Sequence, residues 1–273
     1  KTSVRQMMAW CLAFILITYK LYDIYKSKPN LDIIGGENID IKDAPYQVSL
    51  RDSFGHFCGG TIVAHDIVIT SSKTTVSVIN NITDYQIRVG SSSKLKGGEL
   101  HPVGDMVVHE LFKLATIDYD IAVIWLSKSL EFNDRVSSIM MVEENEEIKE
   151  GESTIVTGWG YTGHDFPEIL QRVEVPFVGE ESCRNYYANY SETKHITSRM
   201  LCAGFPTGGK DSCSGDSGGP LVYNGKLAGV VSWGNDCALP NYPGVYAKVS
   251  ALRNWVDNTI KYLRSKHLMR SHI

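Results

Sequence analysis

Short runs of alternating apolar and polar residues, separated by turn residues, fill the chain beyond residue 32. Such runs predict β-strands, for example at residues 46–50, 85–89 and 121–126. Residues 221–223 and 226–228 flank the pair Asn224-Gly225, which is typical of a β-hairpin with a tight turn. A single amphipathic helix is predicted from residue 250 to about residue 266. This spacing favours an all-β sandwich or barrel with a C-terminal helix.

The composition limits the kinds of protein that the chain can be. Of its 273 residues, 43% are hydrophobic and 21% are charged, which excludes a disordered chain. The net charge is −4 and the isoelectric point is about 6.1. An acidic balance of this kind argues against nucleic-acid binding through a general basic surface. We therefore expect a folded protein with no nucleic-acid partner.

The first 32 residues have the pattern of a targeting segment. Lys1 and Arg5 precede an apolar run from Met7 to Tyr19, which is shorter than a membrane-spanning helix needs. We interpret residues 1–32 as a signal peptide plus propeptide, which predicts a secreted, extracellular protein with no membrane contact after its removal. A single membrane anchor or a buried helix is the alternative.

One glycine-rich stretch carries chemical information. Residues 211–220 read DSCSGDSGGP, so Ser217 lies between Gly215 and Gly218-Gly219, where the backbone can bend sharply. Backbone N–H groups in such a bend can converge on one point and stabilise an oxyanion. Asp216, beside the serine, can hold the loop through a buried charge pair. The stretch therefore indicates a nucleophilic serine.

Several motifs over roughly residues 33 to 262 resemble those of the trypsin-like serine proteases, and they occur in that family's order. Besides residues 211–220, they are Ile33-Ile34-Gly35-Gly36, His56-Phe57-Cys58-Gly59-Gly60, Asp120-Ile121-Ala122-Val123, Gly158-Trp159-Gly160, Cys202-Ala203-Gly204, Ser232-Trp233-Gly234 and Pro243-Gly244-Val245-Tyr246. The resemblance implies that residues 33–273 form two antiparallel six-stranded β-barrels with a C-terminal helix. The two barrels would meet near residues 130–155, with the site between them. Residues 116–120 resemble mite digestive trypsins of the group 3 allergen type.

The resemblance also assigns the catalytic positions, and one of them departs from the family. Asp120 and Ser217 match two members of the triad, but Lys73 occupies the position of the catalytic histidine. Gly215 and Ser217 match the oxyanion loop. A lysine acts as a base only when it is neutral, and at an unperturbed pKa roughly one lysine in two thousand is neutral at pH 7. We expect an ion pair between Lys73 and Asp120, which would leave Ser217 unactivated.

The specificity pocket implied by the family is altered as well. Asp211 matches the pocket-floor aspartate that selects Arg and Lys, and Gly234 and Gly244 keep the small walls. Asp236 stands where trypsins usually have glycine, so we expect it to obstruct the entry; attraction of a basic side chain is the alternative.

Processing of the chain is the next feature that the resemblance implies. In the family, cleavage frees the amine of an isoleucine, here Ile33, which pairs with the aspartate before the serine, here Asp216. Asp32 precedes the cleavage point, so a tryptic activator would not make the cut.

The six cysteines follow the family incompletely. By resemblance Cys183 pairs with Cys202 and Cys213 with Cys237, while Cys11 lies in the removable segment. Cys58 has no partner because the family's second cysteine is Thr74 here. We expect Cys58 to be a buried, inert thiol, with intermolecular pairing as the alternative.

Other features are weaker. Asn81 and Asn189 begin glycosylation sequons. No Cys/His cluster has metal-ligand spacing, so no metal and no cofactor is predicted. The tail from Lys261 predicts a solvated helix end or a basic patch.

Three functions compete. We expect a secreted, catalytically inactive homologue, a pseudoprotease acting as a binding protein, because Lys73, Thr74 and Asp236 occur together. By resemblance to the inactivated protease paralogues of scabies mites, its partner would be a host protein, such as complement or another plasma protein. The alternative is an active trypsin-like serine endopeptidase that cleaves after Arg or Lys with Lys73 as an unusual base. A third possibility is a decoy that binds substrates or inhibitors through Asp211 without cutting them.

Overall fold

The computed structural model describes residues 33–76 and 82–270, which fold mainly as β-strands. The predicted signal peptide and propeptide, together with Asn81, lie outside the described residues. Among the described helices, none combines the length and the apolar character that crossing a membrane requires.

Six antiparallel strands close the first barrel. The strands in the first half of the chain are β1 (Glu37–Asn38), β2 (Gln47–Asp52), β3 (Gly55–Ala64), β4 (Ile67–Thr70), β5 (Gln86–Val89), β6 (Glu99–Val108) and β7 (Ala122–Leu126). They pair in the order β2-β3-β4-β7-β6-β5, and β5 pairs back to β2. Val48, Ile62, Ile87 and Ile124 are completely buried in its interior.

A second six-stranded barrel follows. Its half of the chain contains β8 (Met140–Met141), β9 (Ser153–Gly158), β10 (Gln171–Val178), β11 (Met200–Ala203), β12 (Pro220–Tyr223), β13 (Lys226–Trp233) and β14 (Gly244–Lys248). The antiparallel order is β10-β11-β14-β13-β12-β9, and β9 pairs back to β10. β1 joins β10 at the edge, and β8 adds to β13 as a short parallel strand.

The described residues also contain three α-helices. They are α1 (Ser72–Val76), α2 (Glu180–Tyr187) and α3 (Val249–Arg270). The predicted fold class, two antiparallel six-stranded barrels with a C-terminal helix, is confirmed. The boundary near residues 130–155 stays a prediction.

The predicted hairpin forms as the sequence indicates. β12 and β13 are joined at Asn224-Gly225, whose φ angles of 47° and 73° lie in the left-handed region. Asparagine and glycine tolerate this region best, which is why this pair can join two twisted strands in so few residues.

Strand β4 holds the two barrels together. Val68 packs inside the first barrel, whereas its neighbours Ile67 and Ile69 join the core of the second barrel, and all three are completely buried. The alternation of side chains across a strand gives each face of β4 its own core. Val123 of β7 packs with Ile67 and Ile69 in the same way. The ends of β4 and β7 are therefore fixed against the second barrel.

Helix α3 is longer than predicted, and its last turns are not a free solvated end. Arg264 makes a two-pronged ion pair with Asp66, at 3.0 and 2.6 Å. The carboxylate of Asp105 accepts from Lys266 Nζ at 2.6 Å and from His267 Nε2 at 2.8 Å. Both aspartates belong to the first barrel's half of the chain, so tertiary ion pairs extend the helix beyond its apolar stripe.

The cysteines adopt the arrangement that the resemblance implied. Cys183 is bonded to Cys202 and Cys213 to Cys237. Cys58 is a free thiol, 8% exposed, and its sulfur lies 3.2 Å from Thr74 Oγ1. Burial raises the pKa of Cys58 to about 11, so the thiol stays protonated and unreactive at neutral pH.

The first prediction concerns the docking of α3. Leu263 is completely buried although its neighbours Tyr262 and Arg264 are exposed. Leu263→Ala should lower the free energy of unfolding in urea by about 3 kcal/mol, because it leaves a cavity between the helix and the barrels. Met269→Ala, on the same helix at a position that is 65% exposed, is the matched control and should change stability by less than about 0.5 kcal/mol. Equal effects of the two variants would contradict the packing described.

The second prediction concerns the orphan thiol. Thr74→Cys should form a disulfide with Cys58, whose sulfur already contacts Thr74 across a separation of 16 residues. A closed loop of that length gains about 3 kcal/mol in the chain-entropy model, so the melting temperature should rise and fall back in reductant. Thr74→Ser serves as the control without a new thiol. Recovery of unlinked Cys58 in a peptide map of the oxidised variant would contradict the prediction.

Candidate functional site

A cavity of about 290 Å³ contains most of the side chains that the sequence singled out. Lys73, Asp211, Ser217, Gly234, Asp236 and Gly244 all line it. Lys73 comes from α1, which follows β4; Ser217 and Asp211 come from the loop before β12; the others lie after β13 or at the start of β14. The fold therefore brings together residues that are up to 171 positions apart in the sequence.

Lys73 and Asp120 meet, but not as the expected ion pair. Asp120 Oδ1 accepts from the backbone N–H of Lys73 at 2.7 Å, and Asp120 Oδ2 accepts from Ser232 Oγ at 2.6 Å. The Lys73 ammonium turns away and donates to the carbonyl oxygen of Ser232. No Lys73–Asp120 ion pair occurs among the described residues. The expectation is therefore wrong, because the backbone and Ser232 occupy both carboxylate oxygens.

Burial dominates the acid–base character of these two groups. Burial lowers the pKa of Lys73, and the charge of Asp120 opposes this shift without cancelling it. Burial likewise raises the pKa of Asp120, although the hydrogen bond from Ser232 and the charge of Lys73 both act to lower it. Both shifts favour neutral forms. Lys73 thus has a larger neutral fraction than a free lysine.

The loop around Ser217 is folded so that two N–H groups remain available. Gly215 has a φ of 99°, and its carbonyl accepts from His56 Nε2 at 3.2 Å. Within residues 33–76 and 82–270, no protein acceptor takes the N–H of Gly215 or of Ser217. Donors that are free in this way can bind a developing oxyanion. Ser217 itself is partly exposed to the cavity, and its hydroxyl is not bonded to Lys73 in the described part of the chain.

Asp216 anchors this loop from below. Its carboxylate is fully buried and accepts from Gly160 N at 2.8 Å and from Cys213 N at 3.0 Å. A side chain at position 160 would collide with the carboxylate, which explains the glycine there. Burial raises the pKa of Asp216 to about 6, and the charge of nearby Lys94 opposes the shift. Ile33 is completely buried too, but its pairing with Asp216 as a free amine stays a prediction.

Asp211 is suited to hold a cation. It is 3% exposed; Oδ2 accepts from Ala238 N at 3.0 Å, whereas Oδ1 has no hydrogen-bond partner in the described residues. A Cβ at Gly244 would lie only 2.6 Å from Oδ1, so glycine keeps this oxygen accessible. Burial raises the pKa of Asp211 to about 7. A cationic ligand would supply the missing partner.

Asp236 does not close the cavity as expected. Its side chain is exposed, and its Oδ1 accepts from the N–H of the next residue, Cys237, at 2.9 Å. The cavity remains beside it, lined by Asp236 together with Asp211. The Asp236 carboxylate therefore forms part of the cavity wall and leaves the cavity open.

Two residues of the site were not identified from the sequence. Ser232 bridges Asp120 through its hydroxyl and Lys73 through its carbonyl, and Lys94 approaches Asp216 with its Nζ 3.5 Å from Trp159 O. The motif Ser232-Trp233-Gly234 was a signal for the first residue; nothing in the sequence marked Lys94. Of the two sequons, Asn189 lies in an exposed turn after α2, and its glycosylation stays a prediction.

Comparison with known proteins relates the whole described region to one group. The trypsin family model matches residues 33–256. A vitellin-degrading protease of Bombyx mori is 51% identical over 263 residues, which cover 94% of this chain and 98% of that protein. A trypsin of Phaedon cochleariae is 39% identical over 85% of this chain and 90% of its own length. For trypsin alpha of Drosophila melanogaster the identity is 41%, over 85% of this chain and 89% of its own length.

These relatives correct the prediction of function. The expectation of a pseudoprotease, a non-enzyme that acts as a binding protein, is wrong: the similar proteins are named as trypsins and as a protease. The alternative, an active endopeptidase, is better supported. The error came from giving three altered positions, Lys73, Thr74 and Asp236, more weight than the rest of the chain.

The third prediction follows from the pKa of Asp211. An amidinium ligand such as benzamidine binds the ionised carboxylate, so its affinity should rise from pH 5 to pH 8 as Asp211 loses its proton. With a pKa of about 7, the ionised fraction of Asp211 and hence the affinity should rise about 90-fold. Calorimetric titration over this pH range measures the affinity. The control variant Asp211→Asn should bind benzamidine weakly, with an affinity that does not change with pH. A pH-independent affinity of the unaltered protein would contradict the prediction.

Proposed function

Because this chain belongs to the trypsin family of serine proteases, we propose that it is a serine endopeptidase that cleaves after Arg or Lys. One observation carries the proposal: Lys73, Ser217 and Asp211 line a single cavity, with a base candidate, a nucleophile and a cation-binding carboxylate in one place. Asp211 sets the preference for a basic side chain, and Ser217 forms the acyl intermediate.

The proposed chemistry is acyl transfer to Ser217. Neutral Lys73 takes the proton of Ser217 Oγ while Oγ attacks the carbonyl carbon of the peptide bond. The N–H groups of Gly215 and Ser217 stabilise the negative oxygen that forms. The Lys73 ammonium then gives its proton to the leaving amine, and water releases the acyl group by the reverse sequence.

Two features favour Lys73 as the base in this site. Burial lowers its pKa, and the Asp120 carboxylate is occupied by Ser232 and by the Lys73 backbone, so it does not hold the ammonium in an ion pair. Lys73 Nζ donates to Ser232 O in this structure. The proton transfer therefore requires a rotation about the lysine side-chain torsions that carries Nζ to Ser217 Oγ.

We also propose that the protein acts outside the cell. Its two disulfides suit an oxidising compartment, and residues 1–32 have the sequence pattern of a secreted precursor. Cleavage before Ile33 would need a protease that accepts Asp32. A host-protein partner such as complement, and a closer kinship with mite trypsins of the group 3 allergen type, stay predictions.

Vitellin is the substrate that we favour. The 51% identical relative is named for degrading vitellin. Incubation of the activated chain with vitellin, followed by sequencing of the new termini, should reveal cuts after Arg and Lys. Cuts after other residues would argue against the proposed specificity.

The fourth prediction tests nucleophile and base together. Ser217→Ala should abolish hydrolysis of an arginine amide substrate and block labelling by a serine-reactive phosphonate. Lys73→Arg should lower kcat/KM by at least about 100-fold, because a guanidinium stays protonated and cannot act as a base. Lys73→His, which restores a base of lower pKa, should retain turnover.

A control variant distinguishes a general effect of a Lys→Arg substitution from the loss of the base. Lys210→Arg, at an exposed position that does not line the cavity, should leave kcat/KM unchanged. Full activity of the Lys73→Arg variant would exclude Lys73 as the base. Turnover that persists in Ser217→Ala would exclude Ser217 as the nucleophile.

A further inference from the structure

Two carboxylates with different surroundings line the same cavity. Asp211 is buried and has one oxygen without a partner in the described residues. Asp236 is exposed, and no Lys, Arg or His side chain forms an ion pair with it anywhere in residues 33–76 and 82–270. The cavity therefore offers two separate anionic positions, one deep and one in contact with solvent.

The fold does not explain the charge of Asp236. Its φ of 62° lies in the left-handed region, where Asn and Asp are tolerated and Gly is unstrained. The one hydrogen bond that its side chain makes within the described residues, from the N–H of Cys237 to Oδ1, could equally be made by an asparagine oxygen. The conformation thus favours Asn, Asp or Gly, and the negative charge of Asp is an additional property.

Nothing on the cavity wall neutralises that charge. Lys73 is the single Lys or Arg among the described residues that line the cavity, and its ammonium is held by the carbonyl of Ser232. A single cationic side chain that reaches Asp211 would satisfy the buried oxygen and leave Asp236 free. A second positive group of the same ligand would find Asp236 at the same cavity.

We propose that Asp236 is a specificity-determining residue which selects peptide segments with two neighbouring basic side chains, one on Asp211 and one on Asp236. The inference rests on the proposed function and narrows its substrate class from Arg/Lys sites to dibasic sites. Because Asp236 is exposed, its contribution to affinity is about three- to fivefold and is weakened by salt.

The test uses binding, so that it does not depend on turnover. In a Ser217→Ala background, the affinities of benzamidine, with one amidinium, and of a bis-benzamidine, with two, are measured at low ionic strength. The bis-benzamidine should bind more tightly, and Asp236→Asn should reduce its advantage by about three- to fivefold while leaving benzamidine nearly unchanged. Glu181→Gln removes a charge from an exposed position outside the cavity and is the matched control.

Two results would overturn the inference. An unchanged ratio of the two affinities in Asp236→Asn would mean that the carboxylate recognises no second cation. Tighter binding of both ligands would mean that Asp236 obstructs the cavity. In catalysis, kcat/KM for an Arg-Arg peptide relative to a Gln-Arg peptide should fall in Asp236→Asn. Absence of turnover in the activated, unaltered protein would refute the proposed function, while the binding ratio still decides the role of Asp236.

Discussion

The burial of both faces of β4 is the constraint on which the site depends. Val68 fills the first barrel, and Ile67 and Ile69 fill the core of the second, so this strand cannot move relative to either. β4 ends at Thr70, three residues before Lys73, and β7 starts at Ala122, two residues after Asp120. Burial of each large apolar side chain stabilises the folded state by about 1.5–3 kcal/mol. This burial fixes the ends of both strands at the cavity.

Three buried carboxylates are then held at defined positions around that cavity. Asp120 and Asp216 each accept two hydrogen bonds, whereas Asp211 keeps one oxygen unpartnered among the described residues. Burying a carboxylate is costly unless its lone pairs are satisfied, and burial accordingly raises the pKa of all three. The first two carboxylates are structural anchors, since their oxygens are occupied. The third keeps binding capacity, since a ligand can complete its hydrogen bonds.

The sequence allowed the fold and most residues of the site to be predicted, but not Ser232, Lys94 or the contacts within the site. Motif order and turn residues such as Asn224-Gly225 depend on local geometry, so they could be recognised directly. The direction of the Lys73 side chain could not, because it depends on which acceptors remain after Ser232 has bonded to Asp120. The length of α3 was underestimated for a similar reason: Asp66 and Asp105, which pair with its last turns, are distant in sequence.

The contacts that hold the backbone at position 73 in place do not involve the side chain of Lys73. Asp120 accepts from the backbone N–H of that position, and Ser72 Oγ donates to Ile121 O at 2.6 Å, so α1 is anchored through groups that the side chain at 73 does not supply. A change of side chain at position 73 therefore alters the chemistry of the site and leaves these scaffold contacts unchanged. Desolvation by the same scaffold lowers the pKa of Lys73. A lysine base requires a neutral amine near the nucleophile. The pocket favours the neutral amine, and the contacts that anchor α1 do not involve the side chain at position 73.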